Sequence, residues 1–470
     1  MENGSHVNGA AHRKERILIL GAAGRDYHLF NTKYRDEPSV EVVGFTHAQI
    51  PHIASSRYPA ALAGPLYPEG LPIWPQSQLE AVITEQHIDA AVLAYSDLAN
   101  ADVVELGARV RAAGANFVLL GRREGMLPST KPVVAVTAVR TGCGKSQVCR
   151  LVIDAARQAG KRVVLVRHPM PYGDLAAQAV QRFESVADLD KHHTTIEERE
   201  EYEQHITNGV VVYAGVDYAA ILKQAEAEAD LVLWDGGNND LPFYKPDLWL
   251  CIADPLRPGH EVSYYPGDVN FRCADMIVVN KANTAPAAGI QAVLASAKAL
   301  NPRAEVFVTA SEVSVDCPDL IAGKRVLCVE DGPTTTHGGR PSGAAAVAAA
   351  KYAAAEVVDP RPYFVGELKK TLDKYPHIGP VVPAMGYSEQ QILDLQASIA
   401  AVPCDAVLVG TPHDITQLIS VPQPLAVVTY AVADLDEEQQ QGLGLKGLGA
   451  SPGLGKALEG RLAGMWTTKS

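Results

Sequence analysis

Residues 133–146 read Val-Val-Ala-Val-Thr-Ala-Val-Arg-Thr-Gly-Cys-Gly-Lys-Ser, an apolar strand running straight into a glycine-rich turn. That order of residue types suits a phosphate. The backbone N–H groups of the turn cradle phosphate oxygens, Lys145 reaches the β/γ-phosphates, and the Ser146 hydroxyl takes a Mg²⁺ position. The turn opens a helix over about 146–159, whose positive N-terminal end favours the same anion. Thr141, Gly142, Cys143, Gly144, Lys145, Ser146 and Gln147 are therefore the candidate nucleotide contacts. The first glycine of a standard G-x-x-x-x-G-K-[ST] loop falls on Val139, and a cation, Arg140, follows it.

Four apolar residues carry Asp235 to the end of a strand in Ala229-Asp-Leu-Val-Leu-Trp-Asp235-Gly236-Gly237-Asn238-Asn239-Asp240. A carboxylate there can hold Mg²⁺ directly or through water, and Gly236 and Gly237 let backbone approach a γ-phosphate. Ser146 and Asp235 form the candidate metal pair; Asn239 and Asp240 could position a nucleophile or a second substrate. Asn280-Lys281-Ala-Asn283 is similar to the N-K-x-D base-reading element of GTPases, but Asn283 offers one acceptor where guanine needs two, which favours ATP. Arg167-His168-Pro-Met-Pro-Tyr-Gly-Asp174 follows the next strand, and Asp174 or His168 could activate an attacking group or be plain loop residues. Residues 330–340, with Thr336, His337, Gly338 and Arg340, form a turn rich in hydroxyls and glycines that suits a second anion. Gly21-Ala-Ala-Gly24 is followed by Arg25, Asp26, His28 and Asn31, which we assign to a substrate or regulatory role. A nicotinamide dinucleotide is disfavoured, because the next strand ends in Thr46-His47 and not in an acid for the ribose.

These residues need strand ends to sit on. Strands are predicted at 16–20, 40–45, 90–94 and 116–120, with helices at 77–86 and 102–113 between them, which implies a parallel, doubly wound sheet. A second α/β series follows the Pro128–Pro132 linker, with strands at 133–138, 162–167, 231–235, 248–253, 276–280, 305–309 and 325–329. The fold class is α/β: a Rossmann-like domain over 15–130, a P-loop NTPase domain over 131–360 and an α/β extension over 361–445 that continues or caps its sheet. Residues 1–14 and 446–470 read as a disordered tail and a loose, Gly-rich tail, and 184–208 as an exposed charged helix.

With 470 residues, 20% charged and 47% hydrophobic, the chain has room for several real cores. A net charge of −13 argues against nucleic acid as a partner. Seven scattered cysteines without a C-x-x-C pair read as reduced thiols of a cytoplasmic protein, and no apolar run is long enough to span a membrane. Histidine and cysteine spacing supports no zinc site.

Taken in order, G-A-A-G-R-D-Y-H-L-F-N at 21–31, G-F-T-H-A-Q-I-P at 44–51, R-T-G-C-G-K-S, W-D-G-G-N-N-D and V-E-D-G-P-T-T-T-H-G-G at 329–339 resemble the cyclic 2,3-diphosphoglycerate synthetase family. That family belongs to the dimer-forming, deviant-loop (SIMIBI) class of P-loop NTPases. The resemblance implies an ATP- and Mg²⁺-dependent ligase that forms an intramolecular phosphoanhydride in 2,3-diphosphoglycerate, or acts on a related small anionic substrate, releasing ADP and phosphate. It implies a homodimer with Arg140 directed at phosphate, catalytic roles for Lys145, Arg140, Asp235 and Asp174, and substrate contacts from Arg25, His28, Arg167, His337 and Arg340. The alternative from another class is a regulatory or metallochaperone-like NTPase that switches a dimer.

Overall fold

A computed structural model describes residues 13–48, 57–167, 174–237, 240–336, 338–385, 389–411, 415, 418–445 and 453–468. The chain divides into two units, one made of the described residues within Met1–Tyr95, Ala101–Gly125 and Pro171–Ala179, the other of the remainder.

The first unit is a six-stranded sheet. Its strands are β1 (Glu15–Leu20), β2 (Val40–His47), β3 (Arg57–Tyr58), β4 (Leu71–Pro75), β5 (Ala90–Leu93) and β6 (Asn116–Val118), in the order β3-β4-β2-β1-β5-β6. All neighbours are parallel except β3 and β4. The apolar run Ile17–Leu20 is buried on both faces, as a central parallel strand requires. The short helix α1 (Arg25–Leu29) follows β1, and α2 (Leu79–Glu85) and α3 (Asn100–Ala112) supply crossovers. Tyr27, Phe30, Phe45 and Tyr58 interlock on one face, with centroids 5.2 Å apart for Tyr27–Phe45 and 5.4 Å for Phe30–Tyr58. Such edge contacts fix ring positions beyond what burial alone would.

In the second unit the described residues form one 13-stranded sheet. In chain order its elements are β7 (Val133–Ala138), α4 (Lys145–Gln158), β8 (Val163–Arg167), β9 (Gln181–Phe183), α5 (Ile196–Ile206), β10 (Val211–Ala214), α6 (Tyr218–Glu228), β11 (Leu231–Asp235), β12 (Leu248–Ala253), β13 (Met276–Val279), α7 (Ala287–Leu300), β14 (Glu305–Val315) and β15 (Arg325–Asp331). They continue with α8 (Ala344–Lys351), β16 (Glu356–Val357), β17 (Val382–Ala384), α9 (Glu389–Ala401), β18 (Ala406–Gly410), β19 (Leu425–Asp434) and α10 (Leu454–Thr468). The strand order is β9-β10-β8-β11-β7-β12-β13-β14-β19-β18-β15-β16, with β17 also beside β15. Every residue of β7 is buried, and β11 and β12 flank it in parallel.

The joint between the P-loop part and the C-terminal part is β14. Its first residues pair parallel with β13, and Thr309–Val315 pair antiparallel with β19. The C-terminal strands thus extend the P-loop sheet directly.

Two expectations are corrected. Within 446–470, Leu454–Thr468 form a helix, while 446–452 and 469–470 lie outside the described residues, as do 1–12. Leu454, Leu458 and Leu462 recur every fourth residue and sink into the P-loop core, a stripe obscured in the sequence by the glycines around it. The charged stretch 184–208 holds two helices, Val186–Lys191 and α5, and α5 buries Tyr202, His205 and Ile206. Among the described residues no helix is long and apolar enough to cross a membrane.

Leu458→Ala removes a fully buried side chain from the α10 contact and should lower unfolding stability by about 2–5 kcal/mol, measured by urea titration. A loss near zero would show that α10 does not belong to the core.

Candidate active site

The turn after β7 depends on its glycines. Gly142 and Gly144 have φ of +79° and +109°, a region L side chains avoid. A Cβ on Gly144 would lie 2.2 Å from Asn280 Nδ2, and one on Gly142 would lie 3.0 Å from Thr334 Oγ1. Lys145 then begins α4, whose N-terminus has no side-chain cap, so its first amides face outward for an anion.

Because β11 lies beside β7, Asp235 ends up next to the turn, and the Lys145 ammonium pairs with its Oδ1. The other carboxylate oxygen takes the Arg167 guanidinium from β8. Arg167 also pairs with Glu201 of α5. Burial alone would raise the Asp235 pKa, but Arg167 and Lys145 outweigh it and keep the carboxyl ionised far below the usual range. His205 lies one helical turn beyond Glu201; burial lowers its pKa to about 3, and its Nε2 has no hydrogen-bond partner among the described residues.

On the other side of β7, β12 is followed at once by Asp254, which is almost wholly buried. Arg257, Lys281 and Arg340 converge on its Oδ2 at 3.0, 3.4 and 3.5 Å. Burial raises the Asp254 pKa, yet these cations together hold it at about 2. Lys281 is itself lowered to about 8 by burial, against the pull of Asp254. Arg257 donates to the carbonyls of Thr141 at 2.9 Å and Gly338 at 2.6 Å, tying the phosphate loop to the 331–340 turn. In that turn Asp331 accepts the Thr334 N–H at 3.0 Å.

Of the predicted residues, Gly142, Gly144, Lys145, Arg167, Asp235, Lys281 and Arg340 lie in the second unit, at or after the C-terminal ends of β7, β8, β11, β13 and β15. Asn280 and Lys281 hold the loop from behind: Asn280 Nδ2 donates to the Cys143 carbonyl at 3.1 Å and the Lys281 ammonium to that of Gly142. Gln147 donates to Ser311 Oγ at 3.0 Å, Asn283 binds the Ser311 backbone, and Thr336 Oγ1 donates to the Gly332 carbonyl at 2.7 Å. Cys143 is buried behind the loop, Gly236 packs on Trp234, and the Gly237 carbonyl accepts the Asp240 N–H.

The other predicted residues have these surroundings. The Arg140 guanidinium pairs with Asp97 at 2.7 Å, stacks 3.7 Å above the Tyr264 ring and donates to His260 Nδ1 at 3.4 Å. Asp97 also accepts from the Thr141 hydroxyl at 3.1 Å, so the pair braces the loop's first turn. Arg167 serves as the fixed counter-ion of Asp235, since its strand lies inside the sheet. Asp174 belongs to the first unit and caps a turn, accepting the Ala176 N–H at 2.9 Å. Arg25, Asp26, His28 and Asn31 also lie in the first unit; His28 is held neutral by burial, with its pKa near 3, and donates to the Gly125 carbonyl. His168, Asn238, Asn239 and His337 lie outside the described residues.

Asp97, Glu201, His205, Asp254 and Arg257 were not foreseen. Asp254 carries the signal that exposed Asp235, an Asp closing an apolar strand, whereas Glu201 and His205 were hidden in a run of surface-like charges.

An uncapped phosphate loop with a lysine, and an ionised aspartate on the adjacent parallel strand, define a P-loop α/β protein. Over 428 residues the chain is 54% identical to the arginine synthetase ArcE of Thermococcus kodakarensis, covering 91% of this chain and 96% of that protein. The chain belongs to the family of this synthetase. No known family model matches it. Solved structures are similar only remotely: LpxK from Aquifex aeolicus with ATP at 14% identity, 68% of this chain, 90% of that chain and TM-score 0.36, and cobyrinic acid a,c-diamide synthase from Mycobacterium smegmatis at 17%, 38%, 72% and 0.18.

Asp254→Asn would leave three buried cations without their anion. Unfolding stability should fall by about 3–5 kcal/mol in urea, the usual result of breaking a buried ionic cluster. An unchanged midpoint would remove the cluster from the loop's support.

Proposed function

We propose that the chain is an ATP-dependent arginine synthetase. Its full-length relation to the protein of that name carries the reading, and the P-loop geometry supplies the chemistry. A synthetase that ends in arginine and transfers phosphate has one bond suited to it, the guanidino C–N. The oxygen of a ureido group is a poor leaving group until it is phosphorylated. In the proposed reaction the ureido oxygen of citrulline attacks the γ-phosphorus of ATP and ADP leaves. Ammonia then adds to the activated carbon, the C–O bond breaks, phosphate departs, and loss of the extra proton leaves arginine.

The residues present fit ATP and Mg²⁺. The glycines of the loop leave room that a Cβ would fill, and the lysine and uncapped helix end favour phosphate. Ser146 and Asp235 are hard oxygen donors of the kind Mg²⁺ accepts, with phosphate and water completing its shell. When bound, Mg²⁺ would offset phosphate charge during transfer. Asp235 has two counter-ions with different freedom. Lys145 can leave it for the β/γ-phosphates, and Arg167, locked to Glu201 inside the sheet, stays and keeps the carboxylate ionised. Arg257, Lys281 and Arg340 outnumber the single charge of Asp254, and their excess suits the anion that forms as phosphate is transferred and released.

The 331–340 turn, which places Arg340 in that cluster, also supports a second reading in which the acceptor is a phosphate of 2,3-diphosphoglycerate. One experiment separates them. Protein with ATP, Mg²⁺, ammonium and citrulline labelled with ¹⁸O in the ureido group should yield arginine and ¹⁸O-phosphate, followed by mass spectrometry and phosphorus NMR. A cyclic phosphoanhydride formed from 2,3-diphosphoglycerate, with no arginine in the first reaction, would transfer the assignment to the second reading. Lys145→Ala should lower turnover at least 100-fold in either case; retained turnover would place the chemistry elsewhere.

A further inference from the structure

Arg25 is a charged residue that none of the chemistry above uses. It follows β1 and the Gly21–Gly24 turn, is 3% exposed, and its Nε and Nη2 atoms have no hydrogen-bond partner among the described residues. A buried guanidinium without an anion is strongly unfavourable, so a fold that keeps one has a reason to.

Its neighbours are committed elsewhere. Asp26 Oδ1 accepts the N–H groups of Ala23 at 2.8 Å and Tyr27 at 2.7 Å, closing the turn, and Asn31 accepts from the Tyr58 hydroxyl at 2.8 Å. His28 is neutral and donates to the Gly125 carbonyl. At the end of β2, whose Thr46 pairs with Leu20 of β1, two more buried polar atoms lack hydrogen-bond partners among the described residues: Thr46 Oγ1 and His47 Nε2.

The position within the sheet matters as much. From β1 the chain builds outward through β2 and β4 on one side, then returns to place β5 on the other. The order reverses at β1, and open parallel sheets bind ligands at the carboxyl ends of the strands flanking such a reversal. Nε and Nη2 are the two parallel donors of a guanidinium that match a carboxylate or phosphate face to face.

We propose that the C-terminal edge of β1 is an oxyanion site in its own right. There the carboxylate or phosphate group of a small ligand docks on the Nε–Nη2 edge of Arg25, with Thr46 and His47 beside it. This site does not depend on the P-loop reading.

The test uses the full chain carrying Lys145→Ala and reads the part of each shift that Arg25→Met removes, because the Arg257, Lys281 and Arg340 cluster and the proposed citrulline site are the same in both proteins. Thermal denaturation is followed against sodium phosphate and against L-citrulline at constant ionic strength. A saturable rise in Tm is expected with one of the two probes, phosphate identifying a phosphate ligand and citrulline a carboxylate. Arg25→Met should weaken that ligand at least tenfold and leave the ligand-free Tm equal or higher, because it removes an unpaired buried charge. Arg25→Lys, which keeps the charge without the paired donors, should fall between. No shift with either probe, a shift that Arg25→Met leaves at full size, or a ligand-free Tm lowered by Arg25→Met would overturn the proposal.

Discussion

The buried carboxylate of Asp235 governs the second unit. A charge taken out of water at the middle of a parallel sheet must be matched there, and it is matched twice, by Lys145 from the loop and Arg167 from the next strand. The demand reaches outward: Arg167 needs Glu201, which fixes α5 over the strand ends, and α5 in turn buries Tyr202 and His205. A side chain that arrives at the end of one strand therefore sets the placement of a helix 30 residues before it in sequence.

Asp254 repeats the arrangement with the balance reversed. Three cations meet one anion, and two of them extend to the loop backbone, Arg257 to Thr141 and Lys281 to Gly142. The loop is thus held from its carbonyl side by positive groups. An anion approaching from the front meets donors already oriented, which lowers the reorganisation that binding would otherwise require.

The site was readable in the sequence wherever its signal was local. Gly142, Gly144, Lys145 and Asp235 announce themselves by spacing and by apolar strands that deliver them. The alternation of strands and helices likewise gives the α/β class. Partners that depend on which strands become neighbours were not readable. Arg140 looked free until β12 and its following residues placed Tyr264 and His260 against it, and Glu201 looked solvated until β8 placed Arg167 beneath it. Asn280 and Lys281 resembled base-reading residues, but the register of β13 beside β12 brings them behind the loop. The stripe on α10 was masked by glycines, since composition weighed more than its fourfold spacing.

The long strand β14 has a consequence for how such chains could be cut or recombined. Its first four residues are satisfied by β13 and its last seven by β19, which arrives more than a hundred residues later. Cutting the chain after the P-loop part would strip the hydrogen-bonding partners from Thr309–Val315 and leave a sticky edge open to self-association. The P-loop part and the C-terminal part are therefore one sheet and depend on each other for a closed hydrogen-bond ladder.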